Sequence, residues 1–168
     1  LFCETILGEY IAPGDTVLDI GACIGDHTLS FVKMVGPNGR VHAFEPNPPA
    51  FECLRHNMGR FPNVGLHNAA LGKWFGAGSM LDSDDQPKNL GGARFVEDKD
   101  GCVSIVPLDS LFFNQVNFIK IDAEGMEADI VDGGRKTIYY SKPSMLIEVN
   151  RPLSDPSHLF ALLEELLP

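Results

Sequence analysis

Short apolar runs alternate with stretches of helical period, and this alternation constrains the fold more than any other feature of the chain. Thr16–Ile20 (TVLDI), Arg40–Phe44 (RVHAF) and residues 64–70 (VGLHNAA) read as buried strands. Between them, positions 29, 31, 32, 34 and 35 and then Phe51, Leu54 and Met58 mark apolar helix faces. Gly36-Pro37-Asn38-Gly39 stops the first helix, while Asn47 is a good N-cap and Pro48 a good first residue for the second. Strand–helix–strand–helix–strand at this spacing predicts an α/β fold, a doubly wound and mostly parallel sheet with right-handed crossovers. Residues 117–121 and 144–149 continue the buried strands. A helix over 126–132, capped by Gly133-Gly134, lies between them. Asp155-Pro156 opens a last helix that carries Leu159, Leu162, Leu163 and Leu166, and Phe2, Ile6 and Tyr10 predict a short opening one. The part from 72 to 107 breaks the rhythm. It is rich in Gly, Asp and Ser, with alternating runs near 75–81, 93–97 and 102–106, so a small antiparallel excursion is expected around 73–107.

The 168 residues fit one domain, so 1–168 is taken as a single unit with a core of its own. Thirteen Lys and Arg stand against 23 Asp and Glu, a net charge of −10, which argues against a nucleic-acid partner held by its phosphates. No apolar run approaches the ~20 residues of a membrane span. Cys3, Cys23, Cys53 and Cys102 form no CxxC pair, which gives no zinc or redox motif. Free thiols fit a reducing compartment, and a cytoplasmic location is expected.

The informative polar residues collect at strand ends: Asp19 and Gly21 after the first strand, Glu45 after the second, Asp122 after the fourth. An open α/β sheet binds ligands outside those carboxyl ends, where the strand order reverses. A carboxylate can take two adjacent ribose hydroxyls, and Glu45 lies 20 residues past Gly25, the spacing of a ribose-reading acid. The loop itself, VLDIGACIGDHTL at 17–29, departs from the dinucleotide pattern GxGxxG. Cys23 sits at the middle glycine, no third glycine follows, and Asp26 puts negative charge where a phosphate would lie at the helix start. The loop therefore favours a nucleoside without phosphates, and S-adenosylmethionine is such a ligand.

With those residues in view, the chain resembles the FkbM family of class I S-adenosylmethionine-dependent methyltransferases. VLDIGACIGDHTL resembles the family's first motif, which usually has Asn where this chain has Cys23, and VHAFEPNP at 41–48 resembles its second. NAALG at 68–72, VPLDSL at 106–111, NFIKIDAEGMEADIVDGG at 117–134 and KPSMLIEVN at 142–150 follow in the family's order. The resemblance covers about residues 5–150 and implies a Rossmann-like fold with S-adenosyl-L-methionine across the carboxyl edge. It implies that Asp19, Gly21, Ala22 and Gly25 frame the methionine part, with Thr28 against its carboxylate. Glu45, with Pro46 beside it, would hold the ribose, and Asn68, Ala69 and Ala70 would line the adenine. The last strand pair of a full class I sheet has no counterpart here. A shortened chain, or an edge completed by another copy in a homo-oligomer, is expected.

Methyl transfer to a hydroxyl needs orientation and gains from a base. The candidates follow the fourth strand: Lys120, Asp122, Glu124 and Glu127, with Asp122 also counted in the cofactor site. Lys120 is either a tuned base or a partner for carboxylates under the sheet. A hard-metal site from Asp122 with Glu124 or Glu148 is conceivable, but the spacing does not demand it and no metal is expected. His27 is the histidine nearest the loop. Trp74 is either a substrate-pocket residue or a packing anchor. The activity expected is O-methylation of a small-molecule or sugar hydroxyl. An NAD-dependent oxidoreductase and a non-catalytic nucleoside-binding module are the alternatives.

Overall fold

A computed structural model describes residues 7–81, 94–149 and 156–166. Strands β1 (Thr16–Ile20), β2 (Arg40–Phe44), β3 (Val64–His67), β8 (Phe118–Ile121) and β9 (Ser144–Ile147) form one sheet in the order β3-β2-β1-β8-β9, every pair parallel. From β1 the chain winds outward through β2 to β3, then returns to place β8 on the other side of β1. The switch point therefore lies between β1 and β8.

Alternation along the strands sends successive side chains to opposite faces. Val17, Val41 and Phe118 pack against Phe31, Val32 and Val35 of helix α1 (Asp26–Val35), and Ala43 against Leu54 and Met58 of α2 (Pro48–Met58). Leu18, Ile20, Ile119 and Ile121 face the other way. They meet α3 (Glu127–Gly133), α4 (Arg135–Ser141) and α5 (Ser157–Leu166) through Ile130, Val131, Ile138, Leu159, Leu162 and Leu166. Both faces of the sheet are thus covered, which is why its strands read as unbroken apolar runs.

Three expectations change. Residues 64–70 do not form one strand. β3 ends at His67, and Ala70–Leu71 is β4 of a second sheet, ordered β4-β7-β5-β6 with β5 (Gly76–Leu81), β6 (Arg94–Glu97) and β7 (Val103–Val106). Asn68 ends the pairing: its side-chain amide donates to the carbonyls of Glu45 (2.8 Å) and Pro46 (3.3 Å), which frees the backbone to turn away. The excursion is also mixed rather than purely antiparallel, because β5 is antiparallel to β6 and β7 while β4 is parallel to β7. Finally, Gly133-Gly134 joins α3 directly to α4, an element the sequence reading omitted. A Cβ on Gly133 would lie 2.0 Å from the carbonyl oxygen of Gly72, so this glycine lets α3 touch the start of the second sheet. The first half of the opening helix (1–6) and the Asp155 helix start lie outside the described residues.

Candidate active site

The loop after β1 is locked to its neighbours by its backbone. The amides of Gly21 and Ala22 both donate to the carbonyl of Phe44 at 3.0 Å. Gly21 has φ +76°, and a Cβ there would sit 1.8 Å from the carbonyl oxygen of Asp122, so only glycine allows the ends of β1 and β8 to approach this closely. Gly25, at φ +99°, is the N-cap of α1.

Glu45 stands at the end of β2, 6% exposed. One carboxylate oxygen accepts from the amide of Cys23 (2.7 Å) and the other from that of Asn47 (2.8 Å). Each oxygen can accept again. Burial raises the Glu45 pKa above the usual carboxylate value, and the two amides pull the other way. Cys23 itself has φ +50°, in the left-handed region where Asn is the better-tolerated side chain. Its bond to Glu45 comes from the main chain, so Cys in place of the motif's usual Asn leaves that bond intact. Burial, and then the charge of Glu45, raise the pKa of the Cys23 thiol, which keeps it protonated and a poor nucleophile.

Beneath the loop lies a buried polar knot. Asp19 is fully buried; its Oδ2 accepts from the Thr28 hydroxyl at 2.6 Å, while Oδ1 makes no hydrogen bond among the described residues and lies 3.5 Å from the Lys120 ammonium. Lys120, 4% exposed, donates to the carbonyl of Gly21 at 2.8 Å and lies 3.3 Å from Asp122 Oδ2. Among the described residues Lys120 thus makes one hydrogen bond, to the Gly21 carbonyl, and stands at ion-pair distance from Asp19 and Asp122. Lys120, expected either as a base or as a partner for carboxylates under the sheet, stands at the switch point between two carboxylates and a carbonyl. Thr28, expected against the methionine carboxylate, is fully buried and its hydroxyl donates to Asp19.

A crevice opens above the knot. Gly21 and Cys23 line it from β1, Phe44, Glu45 and Pro46 from β2, Ala69, Ala70 and Leu71 from the crossing into the second sheet, and Asp122, Ala123, Glu124, Met126 and Ile130 from β8 and α3. Its remaining wall is Met80 and Phe95, contributed by β5 and β6. Seven sequence-predicted positions thus meet in one place: Gly21, Glu45, Pro46, Ala69, Ala70, Asp122 and Glu124. The others stand behind it. Ala22 packs with Ala43 and Leu54, Gly25 faces a separate hollow beside α2, and Asn68 braces the carbonyls of the β2 loop. Glu127 is 3% exposed and accepts from the amide of Gly125 at 2.9 Å, which shapes the turn that carries Glu124 at φ +49°. His27 is exposed, on the outer side of α1, stacked on Phe31. Sequence reasoning missed Met80 and Phe95. Their only signal was the strand alternation, which gives a face but no address.

Directly behind Phe44 sits a histidine pair. His67 stacks on the Phe44 ring at 4.4 Å, and His42 Nδ1 lies 3.2 Å from His67 Nε2. Burial lowers both pKa values, that of His42 to about 4, so the pair is neutral at physiological pH.

Among the described residues no helix is long and apolar enough to cross a membrane, and no group of three or more His, Cys, Asp or Glu is arranged to hold a metal ion. The family profile described as "Methyltransferase FkbM domain" matches residues 19–167. The 2-O-methyltransferase NoeI of Sinorhizobium fredii is 27% identical over 150 residues, covering 75% of this chain and 60% of the relative. The hexuronic acid methyltransferase AglP of Haloferax volcanii is 24% identical over 166 residues, 95% of this chain and 66% of the relative. The chain thus spans less than two thirds of the length of either. Among solved structures, that of methyltransferase FkbM from Methylobacillus flagellatus aligns with a TM-score of 0.55 at 17% identity, over 86% of this chain and 39% of that one. This shows the shared fold.

Proposed function

The chain belongs to the FkbM methyltransferase domain family, and from that premise we propose that it binds S-adenosylmethionine in the crevice and methylates a hydroxyl of a small molecule or sugar. The observation that carries the reading is Glu45. Its two oxygens are fixed by the amides of Cys23 and Asn47 at the mouth of a mostly apolar slot, with acceptor capacity to spare for two adjacent hydroxyls. The rest of the crevice fits the same cofactor. Phe44, Leu71, Met80 and Phe95 offer a flat base an apolar wall. Among the described residues no third glycine and no basic side chain line the crevice to receive a pyrophosphate, which favours this cofactor over NAD.

When bound, S-adenosylmethionine supplies an activated methyl group. The residues of the chain supply orientation, a dry wall and a proton acceptor. Glu45 fixes the ribose end, and the apolar wall excludes water. Lys120, held by Asp19, Gly21 and Asp122, keeps the β1 and β8 ends in register. The carboxylates of Asp122 and Glu124 line the crevice, where one of them would take the single proton that the acceptor hydroxyl loses. Orientation of this kind contributes up to roughly 7–11 kcal/mol, and a positioned base about 10²–10⁴-fold.

Calorimetry with S-adenosylhomocysteine tests the proposal. The folded chain is expected to bind it, and Glu45→Ala to weaken it by about tenfold or more, since charge-assisted hydrogen bonds contribute ~1.5–3 kcal/mol each. Absence of binding to the folded protein refutes the reading; unchanged affinity in the variant removes Glu45 from the ribose. The same proposal treats residues 1–168 as one functional domain in the cytoplasm, with a second copy pairing along the outer edge of β9, which light scattering tests.

A further inference from the structure

The turn between β4 and β5 carries two large aromatic side chains, Trp74 and Phe75, where turn chemistry favours Gly, Asn, Asp or Ser. Each is 71% exposed, so neither anchors a core. They line a hollow on the second sheet together with Glu97, Asp98, Lys99 and Ile105. Glu97 and Lys99 make no side-chain hydrogen bond or ion pair among the described residues, and the Trp74 indole N–H has no acceptor there. Only the Lys73 ammonium, 5.3 Å from the Trp74 ring centre and itself paired with Asp132, touches the ring.

We infer that this hollow is a carbohydrate subsite that holds a sugar ring of the methyl acceptor, away from the reacting hydroxyl; the inference rests on the methyltransferase reading above. A sugar ring has an apolar C–H face that stacks on an aromatic ring, and a rim of hydroxyls that both donate and accept. Two exposed aromatics beside a carboxylate, an ammonium and an indole N–H with no partner among the described residues match both features. Size argues the same way. At 150–250 Å² per aromatic side chain, two rings 71% exposed offer roughly 200–350 Å², against ~800 Å² per partner in a stable protein interface. Glu97 and Asp98 at the hollow, and the net charge of −10, oppose an anionic bilayer surface. The hollow and the crevice both lie along β5. Gly76 lines the hollow and Met80 the crevice, on the same face of β5 and about 13 Å apart at ~3.3 Å per residue. Ile105, which lines the hollow, belongs to the apolar cluster that includes Phe95 and Met80. An oligosaccharide spans that distance and a single sugar does not.

Trp74 is the only tryptophan in the chain, so its fluorescence reports on this site alone. The chain is titrated separately with chitotetraose, cellotetraose and an oligogalacturonate, with phosphatidylcholine–phosphatidylglycerol vesicles as a fourth probe. A saturable change in Trp74 emission with at least one sugar is expected. Phe75→Ala and Glu97→Gln are expected to weaken it about tenfold while S-adenosylhomocysteine affinity, measured by calorimetry, stays unchanged. No response to any of the three sugars overturns the subsite, and so does a response to vesicles alone. Loss of S-adenosylhomocysteine binding in the parent chain is a separate result. It refutes the cofactor reading and is distinguishable because Trp74 emission is read without cofactor.

Discussion

Replacing Lys120 by Met keeps an unbranched side chain one atom shorter and removes the charge and its donors. The structure sets the size of the effect. The ammonium is 2.8 Å from the Gly21 carbonyl, 3.3 Å from Asp122 and 3.5 Å from Asp19, which is fully buried and has no other neighbour for Oδ1 among the described residues. Removing one partner of such a buried pair typically costs ~3–5 kcal/mol, because the remaining charge is left in the interior without compensation. For a domain of this size each kcal/mol lowers Tm by ~2–4 °C, so a fall of roughly 6–20 °C is expected. Urea unfolding followed by circular dichroism measures the loss. Lys120→Met with Asp19→Asn deletes both charges of the inner pair, and its cost is expected to fall short of the sum of the single costs by ~1–3 kcal/mol. A Lys120→Met variant within about 1 kcal/mol of the parent, or strictly additive costs, would refute the claim that this ammonium holds the switch point.

Two further outcomes follow from the same region. Gly21→Ala places a Cβ 1.8 Å from the Asp122 carbonyl at φ +76°. A loss of stability above ~2 kcal/mol and loss of S-adenosylhomocysteine binding are expected, and a variant that melts and binds like the parent contradicts the close approach of β1 and β8. His42 has a pKa of about 4 in the fold against 6.5 when unfolded, so the unfolded chain binds the proton first as pH falls. Its contribution is complete above 6.5 and is lost between 6.5 and 4. In urea titrations at pH 7 and pH 4.5, His42→Phe is expected to lose less stability on acidification than the parent; equal losses exclude the His42–His67 pair as the source.

Glu45, Gly21 and Asp122 were legible in the sequence because each sits at the end of a short apolar run, and a parallel α/β sheet sends all such ends to one edge. The same local signals gave the helix faces of α1 and α2 and the turn residues around them. Elements whose causes lie far away in the chain were not legible. Helix α4 starts where the Asp109 carboxylate accepts the amides of Lys136 and Thr137, a cap from 27 and 28 residues upstream. β3 ends where it does because the Asn68 side chain takes carbonyls from the β2 loop, 22 and 23 residues earlier. Asp122 lies in the same segment as Lys120, but Asp19 and Gly21, which the ammonium also meets, arrive from β1, about a hundred residues away.

By itself, then, the sequence determined the α/β alternation, the sheet edge that carries the proposed site and the placing of Glu45 on it, since these follow from local period and strand ends. Only the tertiary structure decided which polar side chains face the crevice and which are consumed beneath it. It also decided that Met80 and Phe95 of the second sheet close the crevice wall. Those outcomes depend on distance and burial between segments remote in sequence, and neither period nor propensity encodes them.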